Sequence, residues 1–312
     1  DPVRLLQMSL ESGAVGPLVE RALDELVNAG KTKAVTELLA ARPAAEGNVA
    51  DSLLTWLIRP TTIKALLAHE PLDVVSLDAL LPRLPVEGYE YLLDALATSE
   101  NRTTRRRLMD RLSRTEIDIG PLVLKHLDDP RWYVQRNMLI LLERAPRLPE
   151  GFSPAPWTAH PDARVRCEAI RVQLRLPEER EGAILWALDD IDFRIVHLGL
   201  TAIQHDCPEQ LIPRVISLAV DADLDDDIRT LAVNIVGKLR RPYVLDALLE
   251  LTDGGRSLLG RIRLPLKTPV LLAAVRALSE TWAFDARAAA VLAVAAESPD
   301  PDIRTAVLPP LS

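Results

Sequence analysis

LDDPRWYVQRNML, Leu127 to Leu139, returns 61 residues later as LDDIDFRIVHLGL, Leu188 to Leu200. Each copy is an Asp-Asp turn that feeds a run of apolar residues at helical spacing. Shorter copies stand at Pro161-Asp162-Ala163-Arg164-Val165-Arg166, at Asp226-Asp227-Ile228-Arg229 and at Asp300-Pro301-Asp302-Ile303-Arg304. With the basic residue as marker, the steps are 30 residues from Arg136 to Arg166, 31 on to His197 and 32 on to Arg229. The last step, 75 residues to Arg304, fits two repeats plus an insertion. After the turn the apolar residues fall at i, i+4, i+7 and i+11: Val165, Ala169, Val172 and Leu176, and again Ile228, Ala232, Ile235 and Leu239. That spacing is one stripe of an α-helix, so each unit offers the same face to its neighbours. Val196, Leu200 and Ile203 repeat it, and the first copy keeps Leu139 and Leu142 behind a polar Gln135. An Asp ahead of a helix suits the unpaired N–H groups and the positive end of the first turn. Asp129, Asp162, Asp190, Asp227 and Asp302 are therefore the expected caps.

The pattern Asp-x-x-Val-Arg-x-x-Ala is carried by Asp162, Val165, Arg166 and Ala169, and its residue types return as Asp227, Ile228, Arg229 and Ala232. It resembles the second helix of HEAT repeats, in the short form of about 30 residues found in bacterial HEAT-like proteins; the long form runs to about 40–47 residues. The resemblance covers residues 117–312 and is weaker before them. It implies an all-α fold, an α-solenoid superhelix of antiparallel helix pairs. It also implies a ladder in which the marker Arg bonds an Asp or a carbonyl of the adjacent repeat. Arg136, Arg166, Arg229 and Arg304 hold that place here, with His197 replacing Arg in one unit, and Asp129, Asp162, Asp190, Asp227 and Asp302 are the acidic members. The function implied is that of a non-catalytic protein-binding scaffold in a bacterial cytoplasm.

Composition agrees with helix packed on helix. Hydrophobic residues make up 48% of 312, but aromatics only 4%, so Leu, Ala, Val and Ile must supply the core. A solenoid is one continuous body however long it grows. No uncharged apolar run approaches the roughly 18 residues a membrane helix needs, so no membrane partner is expected. The two cysteines, Cys167 and Cys207, form neither a disulfide framework nor a metal spacing, which suits a reducing cytoplasm. A net charge of −8 argues against general nucleic-acid binding, whose affinity comes from Lys and Arg neutralising phosphates. The chain opens on Asp1 rather than Met, which points to a piece of something longer.

Along the chain, residues 1–115 read as irregular helical hairpins of the same solenoid, with helices near 3–11, 17–29, 32–41, 48–58, 61–69, 74–81, 87–98 and 102–114. Gly30, Pro43, Pro60, Pro71 and the Pro82 to Pro85 segment end periodic runs, since proline lacks the N–H and clashes with the preceding turn. Residues 116–312 hold the HEAT-like repeats, interrupted twice. A Pro-rich loop at 145–161 replaces the first helix of one unit, leaving Phe152 and Trp157 either as core cover or as a partner anchor. A basic insertion at 253–269, DGGRSLLGRIRLPLKTP, separates helices near 244–252 and 270–282. A last hairpin spans 287–308, stopped by Pro309 and Pro310.

Two basic clusters are the candidate partner-binding sites. Arg256, Arg261, Arg263 and Lys267 lie in the insertion, made pliable by Gly254, Gly255 and Gly260, and solenoid insertions often map to the binding edge. Arg107, Arg111 and Arg114 share one face of the helix near 102–114, either as a solvated surface or as a dock for an acidic peptide or phosphate. An acidic protein partner is the expectation, with no cofactor and no metal. Asp221, Asp223 and Asp225 begin like a calcium loop, but Asp226 stands where the turn needs Gly and Ala232 where the bidentate Glu belongs. No phosphate loop, HExxH pair or Gly-x-Ser-x-Gly elbow is present. His205 near Cys207 reads as structural, because a nucleophilic thiol needs an electropositive, accessible setting. Two rivals remain. Arg131-Trp132-Tyr133 with Asp128 and Asp129 has the residue types of HEAT-like DNA glycosylases, although Phe193 in the sister repeat makes Trp132 a packing residue. Chromophore or small-molecule handling, as in bilin lyases, needs an apolar pocket.

Overall fold

The computed structural model describes residues 1–41, 49–256 and 261–307, and apart from one isolated bridge between Arg256 and Ile262 the secondary structure they contain is helical. Pro43, Gly260, Pro309 and Pro310 fall outside the described residues. Two compact units divide the chain, Asp1–Phe152 and Ser153–Ser312. The division falls inside the Pro-rich stretch.

The first unit contains α1 (Pro2–Ser12), α2 (Pro17–Asn28), α3 (Thr32–Ala40), α4 (Val49–Leu57), α5 (Pro60–Ala68), α6 (Val74–Leu80), α7 (Tyr89–Thr98), α8 (Arg102–Leu112), α9 (Gly120–His126) and α10 (Trp132–Arg144). Proline opens α1, α2 and α5, where its missing N–H is one the helix would leave unpaired anyway. Early in the unit the packing is irregular: α3 lies on α6, and α4 touches α1, α2 and α6. A buried hydrogen bond of 2.8 Å between the hydroxyls of Thr36 and Ser76 joins α3 to α6. From α5 on, a regular order sets in, with α5 on α7, α7 on α9 and α8 on α10.

The second unit contains α11 (Ala155–Thr158), α12 (Ala163–Gln173), α13 (Arg180–Leu188), α14 (Phe193–Ile203), α15 (Ile212–Val220), α16 (Asp226–Val236), α17 (Pro242–Leu251), α18 (Pro269–Trp282), α19 (Ala286–Ala296) and α20 (Pro301–Val307). The Pro-rich stretch expected as a loop supplies the one-turn α11, which packs on α12 in the place of the missing first helix. Even-numbered helices form one layer, in which α12, α14, α16, α18 and α20 each touch the next. In the other layer α15, α17 and α19 do the same, and odd helices pack on the even helix that follows. The predicted stripes line this core: Val165, Ala169 and Val172 are fully buried, as are Ile228, Ala232 and Ile235 to within a few per cent. Ile303 is buried on α20.

Candidate functional site

The described residues of the basic insertion on either side of 257–260 pair antiparallel, with a bridge between Arg256 and Ile262. Gly254 donates its N–H to the Arg263 carbonyl at 2.8 Å, and Arg263 returns one to Gly255 at 3.0 Å. A Cβ at Gly254 would sit 2.4 Å from the Leu264 backbone, and Gly255 has a φ of 84°, so both glycines are needed for the approach. These residues border an open groove of about 950 Å³. Arg256, Arg261 and Arg263 line it together with Leu264 and Val294, and Glu297 is the single acid in that lining. Lys267 does not belong to this group. Its ammonium bridges Asp300 at 2.8 Å and Asp302 at 2.9 Å, tying the insertion to the start of α20. Asp300, first of all through that Lys267 bond, titrates below the usual carboxylate range.

The α8 arginines also serve mostly inside the fold. Asn101 caps α8, accepting from the N–H groups of Thr103 and Thr104. Arg107 donates to the Leu72 carbonyl at 3.1 Å, and Arg111 clasps Asp78 through two bonds of 2.6 and 2.8 Å. Arg114 pairs with Asp110 one turn back and stays exposed. Arg107 and Arg111 thus brace α8 against the α6 region. Replacing Arg111 by Ala should lower stability by about 1 kcal/mol, since the pair is bidentate but half open to water. Urea denaturation checks this, and an unchanged midpoint would return Arg111 to the surface.

Of the expected ladder, the Arg166 rung crosses from one helix pair to the next. Arg166 on α12 donates from Nε and Nη2 to the two oxygens of Asp190, both at 2.7 Å, ahead of α14. Arg229 and Arg304 instead turn back to carbonyls of their own unit, Arg229 to Ala219 and Arg304 to Ser298 and Pro299. His197 meets Thr201 on its own helix. Arg136 is half-buried on α10. The caps shift as well. Asp162 caps α12 as expected, but α14 is capped by Asp192 rather than Asp190, and α16 by Asp225 rather than Asp227. Asp300, not Asp302, accepts the first-turn N–H of α20. Asp129 accepts the Arg131 N–H just ahead of α10.

A second repeat, Asp-x-Arg, accounts for the shift at α14, where Asp192 is followed by Arg194. Arg131, Arg164 and Arg194 each fold back on the Asp two residues earlier through paired bonds of 2.6 to 3.0 Å. The Arg164 guanidinium pulls the Asp162 carboxyl down to about 2, and Asp129 and Asp192 are lowered by the same pairing. Asp129 is therefore accounted for structurally in the place where the glycosylase reading wanted a reactive acid. Trp132 is half-buried, edge-on to Tyr133 at 5.8 Å between ring centres.

An apolar ledge on the second unit also escaped the pattern reading. Leu185 and Trp186 on α13 and Ile191 in the following turn line a groove of about 630 Å³. Trp186 is 59% exposed and Ile191 97%, with Phe193 exposed two residues on. Trp157, the aromatic singled out in the Pro-rich stretch, is half-buried. Burial pushes both thiols, Cys167 and Cys207, above the usual cysteine range. Among the described residues, no three His, Cys, Asp or Glu side chains are placed to hold a metal ion. The acidic run is instead used in turns, Asp221 accepting from the Asp223 N–H and Asp225 from that of Asp227. Among the described residues, no helix is long and apolar enough to cross a membrane.

Neither a family model nor a curated protein sequence matches this chain. A similar solved structure is the crystal structure of an engineered protein, 16% identical, covering 98% of this chain and 96% of that one, at a TM-score of 0.42.

Proposed function

We propose that the second unit is a HEAT-like α-solenoid and that the protein is a non-catalytic docking module for an acidic protein partner. The groove lined by the basic insertion carries this reading. In a chain of net charge −8, Arg256, Arg261 and Arg263 line it with one acid, Glu297, and the apolar Leu264 and Val294. Arg is favoured where carboxylates are recognised, because its planar fork bonds both oxygens at once. The two-layer packing supports the solenoid, since stacked helix pairs keep a long surface open at small cost to the core. The exposed ledge at Trp186 and Ile191 adds an apolar contact of the kind that dominates protein interfaces.

The test is the double reversal Arg261→Glu and Arg263→Glu in the intact protein. Both side chains are exposed, so the melting temperature should move little, while capture of acidic proteins on the immobilised chain should fall by about tenfold or more. Equal capture by the variant and the parent would remove the reading. A gel shift with duplex DNA at low salt, abolished by the same reversals, would favour nucleic acid in its place.

A further inference from the structure

The groove lined by the basic insertion has an acidic counterpart in the same chain. Between α15 and the first turn of α16, residues 221–227 hold five aspartates in seven positions. Asp226 pairs with Arg229 at 3.3 Å, whereas the exposed carboxylates of Asp223 and Asp227 have no ion pair among the described residues. The two patches are neighbours. Helices α16 and α18 pack side by side, and the Thr281 hydroxyl joins their ends by donating to the Gly237 carbonyl. Their starts therefore share the opposite edge of the second unit, which sets the acidic turn before α16 beside the basic insertion before α18. The spacing of packed helices places the patches about 10 Å apart. Beyond the insertion the acids are already neutralised, since Lys267 holds both Asp300 and Asp302.

An edge that carries one acidic and one basic patch side by side is complementary to itself. A two-fold rotation about an axis between the patches lays each one on its opposite in a second copy, so every contact is made twice and like charges do not meet. The arginine fork suits the carboxylates that the turn presents. We propose that the occupant of the groove is a second copy of this chain, with residues 221–227 of each copy set against Arg261 and Arg263 of the other in a two-fold dimer. The proposal rests on the groove reading and narrows its acidic partner to this protein itself. A contact held by charge weakens with salt.

Sedimentation velocity of the intact protein over a wide concentration range tests it, at about 0.1 M and about 1 M salt, where the screening length falls from about 10 to about 3 Å. Dimer is expected at the lower salt and monomer at the higher. Arg261→Glu with Arg263→Glu, and separately Asp223→Lys with Asp227→Lys, should each weaken the dimer by about tenfold or more. An equimolar mixture of the two variants should sediment as a heterodimer, because each contact again joins opposite charges; a misfolded variant could not give that result. A parent that stays monomeric yet captures acidic proteins overturns the dimer and leaves the groove reading standing. If the parent stays monomeric and captures none, both fall. A dimer indifferent to salt, or a mixture without heterodimer, also overturns the proposal.

Discussion

Asp190→Ala lowers the stability of the second unit by about 3 kcal/mol, the scale seen when one partner of a buried ion pair is removed. The side chains of Arg166 and Asp190 are 12% and 8% exposed, so the remaining guanidinium would be left with only the His160 and Pro161 carbonyls. The Asp192 N–H, which rests on Asp190 at 2.8 Å, would be left open too. In thermal unfolding the loss corresponds to about 10 °C for a unit of this size. The pH dependence carries a sign. Burial by itself raises the Asp190 carboxyl, but the Arg166 bonds and the Asp192 N–H more than offset it and hold it below the usual range. A depressed carboxyl contributes stability above its unfolded value, near 3.9, and the contribution is lost as pH falls through the folded one. The parent should therefore weaken below about pH 4 more steeply than Asp190→Ala. Parallel acid titrations of the two proteins, followed by circular dichroism, would refute a stabilising rung if the curves kept a constant separation.

Gly237→Val is expected to cost about 3 kcal/mol, at the upper end for overpacking a core. Gly237 ends α16 directly against α18: a Cβ there would lie 2.5 Å from the Ala277 Cβ and 2.8 Å from the Val233 carbonyl. The neighbour cannot swing aside, because Ala277 has no rotatable side chain and α18 is fixed by the Thr281 hydroxyl, which donates to the Gly237 carbonyl at 2.8 Å. Gly237→Ala should cost less, and adding Ala277→Gly should recover about 1 kcal/mol through the coupling that neighbouring sites show. Chemical denaturation of the four proteins measures the cycle, and strict additivity would contradict the contact between these helices.

The helices were largely legible because their signals are local. The stripe from Val165 to Val172 is buried as its spacing required, and Pro60 and Pro269 open the helices they were expected to border. Caps were harder. Where Asp189, Asp190 and Asp192 crowd one turn, composition does not choose among them; the choice falls to Asp192, whose partner Arg194 lies two residues on. That Asp-x-Arg spacing was available in the sequence. The surface arginines were not legible at all. Arg111 meets Asp78 across 33 residues of chain and Lys267 meets Asp302 across 35, and a single sequence gives no register for such pairs. Trp186 was invisible for the opposite reason, since an apolar residue within a helix is assigned to the interior by default and its exposure is a property of what lies beside α13.

The layering of the second unit, in which a helix leans chiefly on its first and second successors, keeps sequence separation between touching residues small. Low contact order of that kind favours rapid assembly, and cooperativity then spreads from neighbour to neighbour instead of being shared by one central nucleus. Such a unit can fray from an end while its middle stays intact, so a terminal helix pair has freedom to loosen or be remodelled that the interior pairs lack.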